Sequence, residues 1–333
     1  MQSPTQETLD KLFYSIPDAF ASYPTTSFSF ILGKAIALDE KTQVLTIQTE
    51  DDKKDTIHYD SLIIATGTTS ASPLWTLQNS FADTASAFED VSIRLASPDL
   101  NEVLVVGGGA AGVETAGQLG YRFRKMKKVI TLFSGAKELL PRYHHAGVSR
   151  AAEAQLSSLG VTIVHNLRVV STSTLADGKT ELHFSDDSKK AVDLCIDATG
   201  GQPNTSFLPP SWLDSTGKVI AESKTLRTPV KNVYAIGDAA SFSLGNLMDS
   251  SFSIPALCYS IYEDGSGGGK EIKMERYRQY TSAICFIPIG PKGGVGAVFG
   301  WKLPSWLVWV MKSRDYMIGQ APWFVNGMAY VKI

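Results

Sequence analysis

The sequence contains little cysteine. Only three cysteines occur in 333 residues, Cys195, Cys258 and Cys285, and none of them forms a CxxC or CxxxxC pair. This odd and widely spaced set argues against a disulfide framework and against a redox dithiol. A reducing compartment fits the cysteine content best.

An excess of one charge is also missing. The 31 basic residues nearly balance the 33 acidic residues. Proteins that bind nucleic acid usually carry a basic patch or stripe, which raises their net charge. Nucleic acid is therefore not expected as a partner.

Long apolar runs and an export signal are absent as well. A helix needs roughly 20 apolar residues to cross a bilayer, and the apolar stretch 306–311 is far shorter. Residues 1–11 are polar, without the basic start and apolar core of a secretory signal. We expect a protein that is neither secreted nor integral to a membrane. It would be cytoplasmic, or peripheral on a mitochondrial or other intracellular membrane.

Three strand-like runs punctuate the chain. Those at 62–67 and 194–200 both end in Ala-Thr-Gly, and a third at 233–236 is followed by Gly-Asp. Between the first two lies a self-contained βαβ pattern, which indicates one nucleotide-binding domain inserted in another. The predicted fold class is α/β, with an outer domain over 1–98 and 199–264, an inserted domain over 99–198 and a small C-terminal module over 270–333.

Local composition predicts further features of the C-terminal half. The Gly and Ser residues at 265–269 are typical of a flexible joint. Residues 270–280 resume a charged pattern typical of a helix, and 289–294 indicates the corner of a hairpin. Pro255 is expected to break any helix that follows the Gly-Asp turn.

The strongest motif is the glycine fingerprint at 103–114, where an apolar strand leads into Gly-Gly-Gly-Ala-Ala-Gly and an apolar helix. Gly107 would allow a tight turn, Gly109 would let a pyrophosphate approach the backbone, and Gly112 would let helix and strand pack closely. The start of the helix, at Ala110, offers free N–H groups to phosphate. A glycine-rich turn without a ligand is the alternative, but the flanking strand and helix favour dinucleotide binding.

The end of the next predicted strand, 129–133, bears on the choice of nicotinamide coenzyme. A carboxylate there would bond the ribose 2'-hydroxyl of NADH and repel the 2'-phosphate of NADPH. Ser134 takes that place, and the cations Lys137 and Arg142 follow. NADPH is therefore expected to bind at least as well as NADH. The alternative is that both cations are solvated surface charges.

The third motif is Gly237-Asp238, at the end of a short apolar strand. Ligands of α/β sheets lie at the carboxyl ends of strands, so the Asp238 carboxylate could accept hydrogen bonds from a polyol. From these residues alone, an equally good alternative is that Asp238 caps the following helix.

Taken in order, these motifs resemble the two-dinucleotide-binding-domain flavoproteins of the pyridine nucleotide-disulphide oxidoreductase-like superfamily. Within that group, the tail motifs at 287–296, 300–301 and 312–315 resemble the apoptosis-inducing-factor-like mitochondrion-associated branch. This branch includes ferroptosis-suppressor-type quinone reductases and many fungal homologues. The resemblance implies FAD in the outer domain and NADPH or NADH in the inserted domain.

The resemblance also implies roles for individual residues. Asp238 and its neighbour Gly237 would hold the FAD ribitol, and Ala35 would contact the adenine through its backbone. Glu114 would lie near the nicotinamide. The cofactor-binding set is completed by residues of the two Ala-Thr-Gly motifs, namely Thr66, Gly67 and Gly200.

The implied reaction moves a hydride from NAD(P)H to the flavin and then passes electrons to a quinone or another small-molecule acceptor. Because the flavin supplies the chemistry, no acid, base, nucleophile or metal is assigned. Two other functions stay open. One is a shortened, catalytically impaired paralogue that acts as an NAD(P)H-binding or regulatory module. The other, a flavin-independent dehydrogenase, is weaker because the inserted domain shows no Tyr-xxx-Lys or His-Asp pairing.

One departure from the family pattern concerns the start of the chain. Members of the family open with a strand and a GxGxxG segment for FAD, whereas residues 10–17 here look like material that normally follows that segment. From this we expect an incomplete FAD pyrophosphate cradle and weak retention of FAD.

Residues 301–312 carry three tryptophans, Trp301, Trp306 and Trp309, together with Lys302 and Lys312. Indoles and lysines together favour the interface of a membrane. A peripheral membrane contact is therefore one interpretation of this segment. The alternative is an edge of the C-terminal module packed on the flavin domain.

Overall fold

The computed structural model describes residues 11, 13–77, 80–266, 273–280, 282–325 and 327. Its strands are β1 (Gly33–Asp39), β2 (Val44–Thr49), β3 (Lys54–His58), β4 (Leu62–Ile64), β5 (Thr68–Thr69), β6 (Glu102–Val106), β7 (Val129–Phe133), β8 (Val161–Val164), β9 (Val169–Thr174), β10 (Thr180–Phe184), β11 (Lys189–Val192), β12 (Leu194–Asp197), β13 (Gln202–Pro203), β14 (Val233–Ala235), β15 (Cys285–Pro288), β16 (Gly294–Val298) and β17 (Trp301–Lys302).

Helices connect or flank many of these strands. They are α1 (Ile16–Ala19), α2 (Phe81–Ala96), α3 (Ala110–Phe123), α4 (Ala146–Ser158), α5 (Leu247–Ser266), α6 (Ser305–Val308) and α7 (Ala321–Val325). Four 3₁₀ turns, Pro141–Tyr143, Pro210–Trp212, Gly237–Ala239 and Ile318–Gln320, and one π-helical turn, Trp309–Ser313, complete the described elements. The predicted α/β class is confirmed.

The chain divides into two compact units. The described part of the first unit lies within 11–14, 70–200 and 280–327, and that of the second lies within 15–69 and 201–279. The domain boundaries inferred from the sequence are finer than this division and stay a prediction.

A parallel sheet in the order β12-β6-β7-β8 forms the centre of the first unit. Successive side chains of a strand point to opposite faces of its sheet. Accordingly, Val103 and Val105 join the core that α3 and α4 cover, while Leu104 and Val106 pack with residues of the antiparallel sheet β11-β10-β9. Burial on both faces explains why β6 is a continuous apolar run.

The antiparallel sheet β15-β16-β17 belongs to the first unit as well. Its residues Ile287 and Val295 are buried in the same core as α3 and α4. Gly117 of α3 permits this packing, because a Cβ there would lie 2.9 Å from the Ile289 Cα. The predicted hairpin corner at 289–294 is confirmed, since it joins β15 to β16.

The described residues of the second unit form three small sheets. Strands β1, β2 and β3 form an antiparallel sheet, β5 pairs with β13, and β4 pairs in parallel with β14. Its core includes Ile64, Val233 and Ala235 from the parallel pair and Trp212, whose indole N–H donates to Glu40. The strands predicted at 62–67 and 233–236 are confirmed in this pair.

Helix α5 corrects the expectation that Pro255 breaks the helix. Pro255 lies inside α5, which continues to Ser266. A proline removes one N–H and crowds a carbonyl of the preceding turn, but Ala256 and Leu257 are buried in a core with Tyr234. This packing outweighs the local cost of the proline, because tertiary context overrides helix propensity.

Two other expectations are wrong for the residues that can be described. The flexible joint was placed at 265–269, but Gly265 belongs to α5, and 267–269 lie outside the described residues. The helical pattern at 270–280 does not form a helix over 273–280. There the Tyr277 N–H donates to the Lys224 carbonyl at 2.9 Å, a contact between loops that replaces helical hydrogen bonding.

Candidate functional site

The glycine fingerprint forms a turn between β6 and α3 that is possible only because glycine has no Cβ. Gly107 has a φ of +120°, and a Cβ on it would lie 2.5 Å from the Ala198 carbonyl oxygen. A Cβ on Gly112 would lie 1.8 Å from the Gly107 carbonyl oxygen. The roles predicted for these two glycines, a tight turn and close packing of helix on strand, agree with this geometry.

Gly109 differs from its neighbours. It is the N-cap of α3, its φ is −78°, and no atom lies within 4 Å of the position that its Cβ would take. The first amides of an α-helix, here from Ala110 onward, lack partners within the helix and attract anions. The open side of Gly109 is therefore a place where a pyrophosphate fits against the backbone.

The loop after β7 holds this turn in place. The Leu140 N–H donates to the Gly108 carbonyl at 2.8 Å, and Leu140 and His144 both have left-handed backbone conformations. Ser134 is buried, and its Oγ lies 3.3 Å from the Ala136 carbonyl oxygen. Its hydroxyl is thus turned inward beneath Gly108, so its side chain offers no free donor to a 2'-phosphate.

A cation missed by the sequence analysis lies beside this strand end. The Arg168 side chain packs on Gly135, and its Nε lies 3.1 Å from the place of a Cβ on that glycine. The contact arises because β8 neighbours β7, and the Leu167 N–H donates to the Ser134 carbonyl at 3.3 Å. No sequence motif relates Arg168 to Gly135, so this contact could have been predicted only from the order of the strands in the sheet.

The predicted cations Lys137 and Arg142 are both exposed and form no ion pair within the part of the chain described. Arg142 lies in the 3₁₀ turn that starts at Pro141. Their role in coenzyme choice stays a prediction, as does that of Gly200, which follows β12 in the same unit.

Glu114 of α3 forms an ion pair that the sequence did not indicate. The Lys312 ammonium lies 2.7 Å from the Glu114 Oε1, although 198 positions separate the two residues. Burial raises the pKa of Glu114, and the charge of Lys312 opposes that rise. The pair joins the helix of the fingerprint to the C-terminal segment within the first unit.

Four predicted residues of the second unit lie at one edge of its parallel sheet. Thr66 and Gly67 follow β4, Gly237 and Asp238 follow β14, and these strands run in parallel with Ile64 opposite Ala235. Because the carboxyl ends of parallel neighbours meet at the same edge, the structure brings the four residues together. Ala35 lies elsewhere in the unit, in β1, next to an irregularity in its pairing with β2.

Asn204 fixes the first of these loops. Its amide nitrogen Nδ2 donates to the Thr66 carbonyl at 2.9 Å, its backbone N–H donates to the Gly67 carbonyl at 3.0 Å, and its Oδ1 accepts from the Thr69 hydroxyl at 2.8 Å. Asn204 is not among the site residues expected from the sequence. The structure shows it as a clamp on the loop after β4.

Asp238 is half-buried, and the Ser243 hydroxyl lies 3.4 Å from its Oδ1. The alternative role as a cap of the following helix is wrong. Asn246 takes that role at α5, since its Oδ1 accepts from the Asp249 N–H at 2.8 Å. The Asp238 carboxylate therefore retains acceptor capacity, which fits the hydroxyls of a polyol.

The three cysteines are unpaired. Burial raises the pKa of the Cys195 thiol to about 12 and also raises that of Cys285. Thiols of this kind hold little thiolate and are poor nucleophiles. Among the described residues, no helix is both long and apolar enough to cross a membrane.

Comparison with known proteins places this geometry in a family. Oxidoreductase phnG from Penicillium herquei is 30% identical over an alignment that covers 96% of this chain and 81% of the relative. Ferroptosis suppressor protein 1 from Taeniopygia guttata is 26% identical, with 91% and 80% of the two chains covered.

Solved structures share the fold. An engineered water-forming NADPH oxidase bound to NADPH has a TM-score of 0.53 and 18% identity, with 73% of this chain and 54% of that chain covered. This chain spans about half the length of the solved structures that it matches. Residues 6–265 match the family described as pyridine nucleotide-disulphide oxidoreductase, and the chain belongs to that family.

Proposed function

We propose that this protein is an FAD-dependent oxidoreductase that takes a hydride from NAD(P)H and reduces a small molecule of the quinone class. Its family consists of FAD- and NAD(P)H-dependent oxidoreductases. The proposal rests on the cradle between β6 and α3. Of its three fingerprint glycines, Gly107, Gly109 and Gly112, only Gly109 has free space beside it for a ligand. The finer likeness to the apoptosis-inducing-factor-like branch rests on the tail motifs and on similarity to ferroptosis suppressor protein 1.

The chain's own residues would bind and orient the coenzyme. The first amides of α3 would hold the pyrophosphate, and the positive end of the helix dipole would favour its charge. Beyond β7, the Arg168 guanidinium would meet the 2'-phosphate of NADPH, a group that NADH lacks. We therefore propose NADPH as the preferred coenzyme, with Lys137 and Arg142 as further cations near the same loop.

The second unit would hold FAD, which supplies the two-electron chemistry when it is bound. Asp238 would accept hydrogen bonds from ribitol hydroxyls, and the backbone of Thr66 and Gly67, fixed by Asn204, would lie beside it. In the overall reaction NADPH gives two electrons and one proton as a hydride. A further proton from solvent converts the quinone to a quinol.

One observation favours the second candidate, a module that binds NAD(P)H without turnover. Among the described residues, β4 pairs only with β14, and Ile63 in the centre of β4 is 46% exposed. Parallel sheets are normally covered on both faces. This uncovered sheet supports weak retention of FAD. The Asp238 contact is worth only about 1.5–3 kcal/mol, the contribution of a hydrogen bond to a charged group.

A reconstitution experiment distinguishes the two candidates. The full chain is incubated with FAD and passed over a gel-filtration column. Retained flavin is measured by visible absorbance, and NADPH-dependent reduction of a soluble short-chain quinone is then followed. Flavin retention together with quinone reduction supports the oxidoreductase. NADPH binding without quinone reduction by protein supplied with excess FAD overturns it in favour of the binding module.

Variants sharpen this test. Asp238→Ala is expected to lower FAD affinity by at least roughly tenfold, in line with the loss of a charged hydrogen bond. Asp60→Ala is the control, because Asp60 is exposed and precedes the other end of β4. If both variants bind FAD as the parent does, Asp238 is not a ligand of the flavin.

A further inference from the structure

The hairpin β16–β17 and the helical segment after it form an exposed surface that we call the aromatic ridge. It consists of Phe299, Trp301, Trp306 and Trp309, which are 58%, 80%, 64% and 38% exposed. Monomeric proteins rarely expose apolar residues of this size in a group. Four large aromatic side chains within eleven positions therefore indicate a surface that meets a partner.

The ridge is built on a well-anchored backbone. Val308 is fully buried against Gly296 of β16, so Trp306 and Trp309, which are three positions apart, share the outward side of the helical segment. The Ser313 hydroxyl donates to the Gly293 carbonyl at 2.8 Å. The exposure of the indoles thus results from the fold of this segment and not from loose attachment.

The tip of the hairpin supports the same conclusion. Phe299 and Gly300 have φ values of +50° and +82°. Two-residue turns of this kind favour Asn or Asp before Gly, because an aromatic side chain is strained in the left-handed region. Phe299 nevertheless occupies the tip, where its ring lies 5.6 Å from that of Tyr280. Strain of this kind often marks functional positions.

The indoles of the ridge also differ from those inside the protein. The buried Trp212 and the half-buried Trp75 donate their N–H groups, to Glu40 and to the Asp197 carbonyl. The N–H groups of Trp301, Trp306 and Trp309 have no acceptor within the described part of the chain. An indole with an exposed ring and a free donor suits a boundary between an apolar phase and a polar one.

Most charged side chains in the segment that carries the ridge are basic. Residues 282–325 contain four basic side chains and a single acidic one, Asp315. Asp315 pairs with Arg314, and Lys312 pairs with Glu114, which leaves Lys292 and Lys302 exposed and without an ion pair in the described chain. The charge that this segment leaves unpaired is therefore positive.

We propose that the aromatic ridge docks on the surface of an anionic lipid bilayer. The indoles would lie at the level of the headgroups, with their N–H groups donating to phosphate and ester oxygens, and Lys292 and Lys302 would extend to the lipid phosphates. This interaction requires neither FAD nor NADPH, so it is independent of the function proposed above. It assigns the aromatic ridge to lipid and not to a second copy of the chain.

Co-sedimentation tests the proposal with vesicles of phosphatidylcholine alone and of phosphatidylcholine with phosphatidylserine. The full chain is expected to pellet with the anionic vesicles. Trp306→Ser/Trp309→Ser should lower the partition coefficient by roughly tenfold or more, because serine lacks the apolar area that each indole would bury in the membrane. Lys292→Gln/Lys302→Gln should weaken binding to anionic vesicles only.

The control variant is Leu77→Ser/Met126→Ser, which removes two apolar side chains of the same unit that are 63% and 56% exposed. It should bind vesicles as the parent does. Circular dichroism checks that every variant is folded. The proposal is overturned if the folded parent stays in the supernatant, or if the tryptophan variant binds like the parent. It is also overturned if light scattering shows a dimer that this variant dissociates while no vesicle binding occurs.

Discussion

Candidate site residues follow the carboxyl ends of parallel strands in both units, but the two sites are built from different parts of the chain. In the first unit the cradle at 107–112 is made of backbone, and its shape depends on side chains that are absent. In the second unit Asn204 and Asp238 act through their side chains. An added side chain in the cradle should therefore weaken coenzyme binding more than the loss of one nearby charge does, whereas FAD binding in the second unit should depend on the Asp238 carboxylate.

The largest expected effect comes from bulk at Gly109. Gly109→Val should weaken binding of both NADPH and NADH by about 100-fold or more, since it displaces at least two amide hydrogen bonds to a charged pyrophosphate. Its Cβ meets no protein atom, so the variant should fold, with a small loss of stability because valine is a poorer N-cap than glycine. Binding is measured by titration of coenzyme fluorescence.

Gly319→Val is the matched control, because a Cβ at Gly319 also meets no atom within 4 Å in the same unit. A Gly109→Val protein that binds NADPH like the parent would remove the fingerprint from the site. Gly112→Ala should instead prevent stable folding, because its Cβ would overlap the Gly107 carbonyl.

The next effect separates charge from backbone within the first site. Arg168→Gln should weaken NADPH binding by roughly tenfold and leave NADH binding unchanged, because only NADPH carries the 2'-phosphate that a guanidinium would contact. Dissociation constants for both coenzymes provide the measurement.

Arg150→Gln controls for loss of a positive charge, since Arg150 is exposed on α4. Equal loss of NADPH and NADH affinity in Arg168→Gln would show a structural role for the arginine. If the affinity for both coenzymes is unchanged, the contact with the 2'-phosphate would instead be assigned to Lys137 or Arg142.

In the second unit, Asn204→Ala should destabilise the loop after β4. The variant removes the hydrogen bonds that the side chain makes with the Thr66 carbonyl and the Thr69 hydroxyl. A cost of about 1–2 kcal/mol in the free energy of unfolding is expected from two neutral hydrogen bonds. Urea unfolding measures it, and Asn101→Ala, which removes an exposed side-chain contact in the first unit, is the comparison.

The smallest effect is a dependence on pH. Hydrogen bonds from the Arg227 guanidinium and the Tyr234 hydroxyl hold the pKa of Asp264 below its usual value. An acid whose pKa is lower in the folded state stabilises the fold above its unfolded pKa, and this contribution is lost as pH falls through the folded value. Stability should therefore decline below about pH 4, the ordinary range of an aspartate.

Asp264→Asn should flatten that acid dependence and cost about 1 kcal/mol or less at neutral pH, because the ion pair is only partly buried. Unfolding temperatures measured across the acid range provide the test. An unchanged slope in the variant would mean that other carboxylates cause the loss of stability in acid.

Much of the first site could be predicted because its determinants are local. The turn at Gly107 and the strand Val129–Phe133 follow directly from short runs of sequence. Arg168 and Lys312 could not be found in this way, since each reaches the site through packing between distant segments. Pro255 was misjudged for a related reason. Its local preference is clear, but the burial of its neighbours decides the outcome.

The shared core of α3, α4 and the sheet β15-β16-β17 also affects how the protein folds during its synthesis. Ile287 and Val295 cover helices that the ribosome completes well over a hundred residues earlier. Contacts so distant in sequence form late and expose apolar surface until then. The coenzyme cradle can thus acquire its strands and helices early, but one wall of its core is supplied only when the last part of the chain emerges. Nascent chains that stop before β15 should therefore be targets for chaperones and proteases.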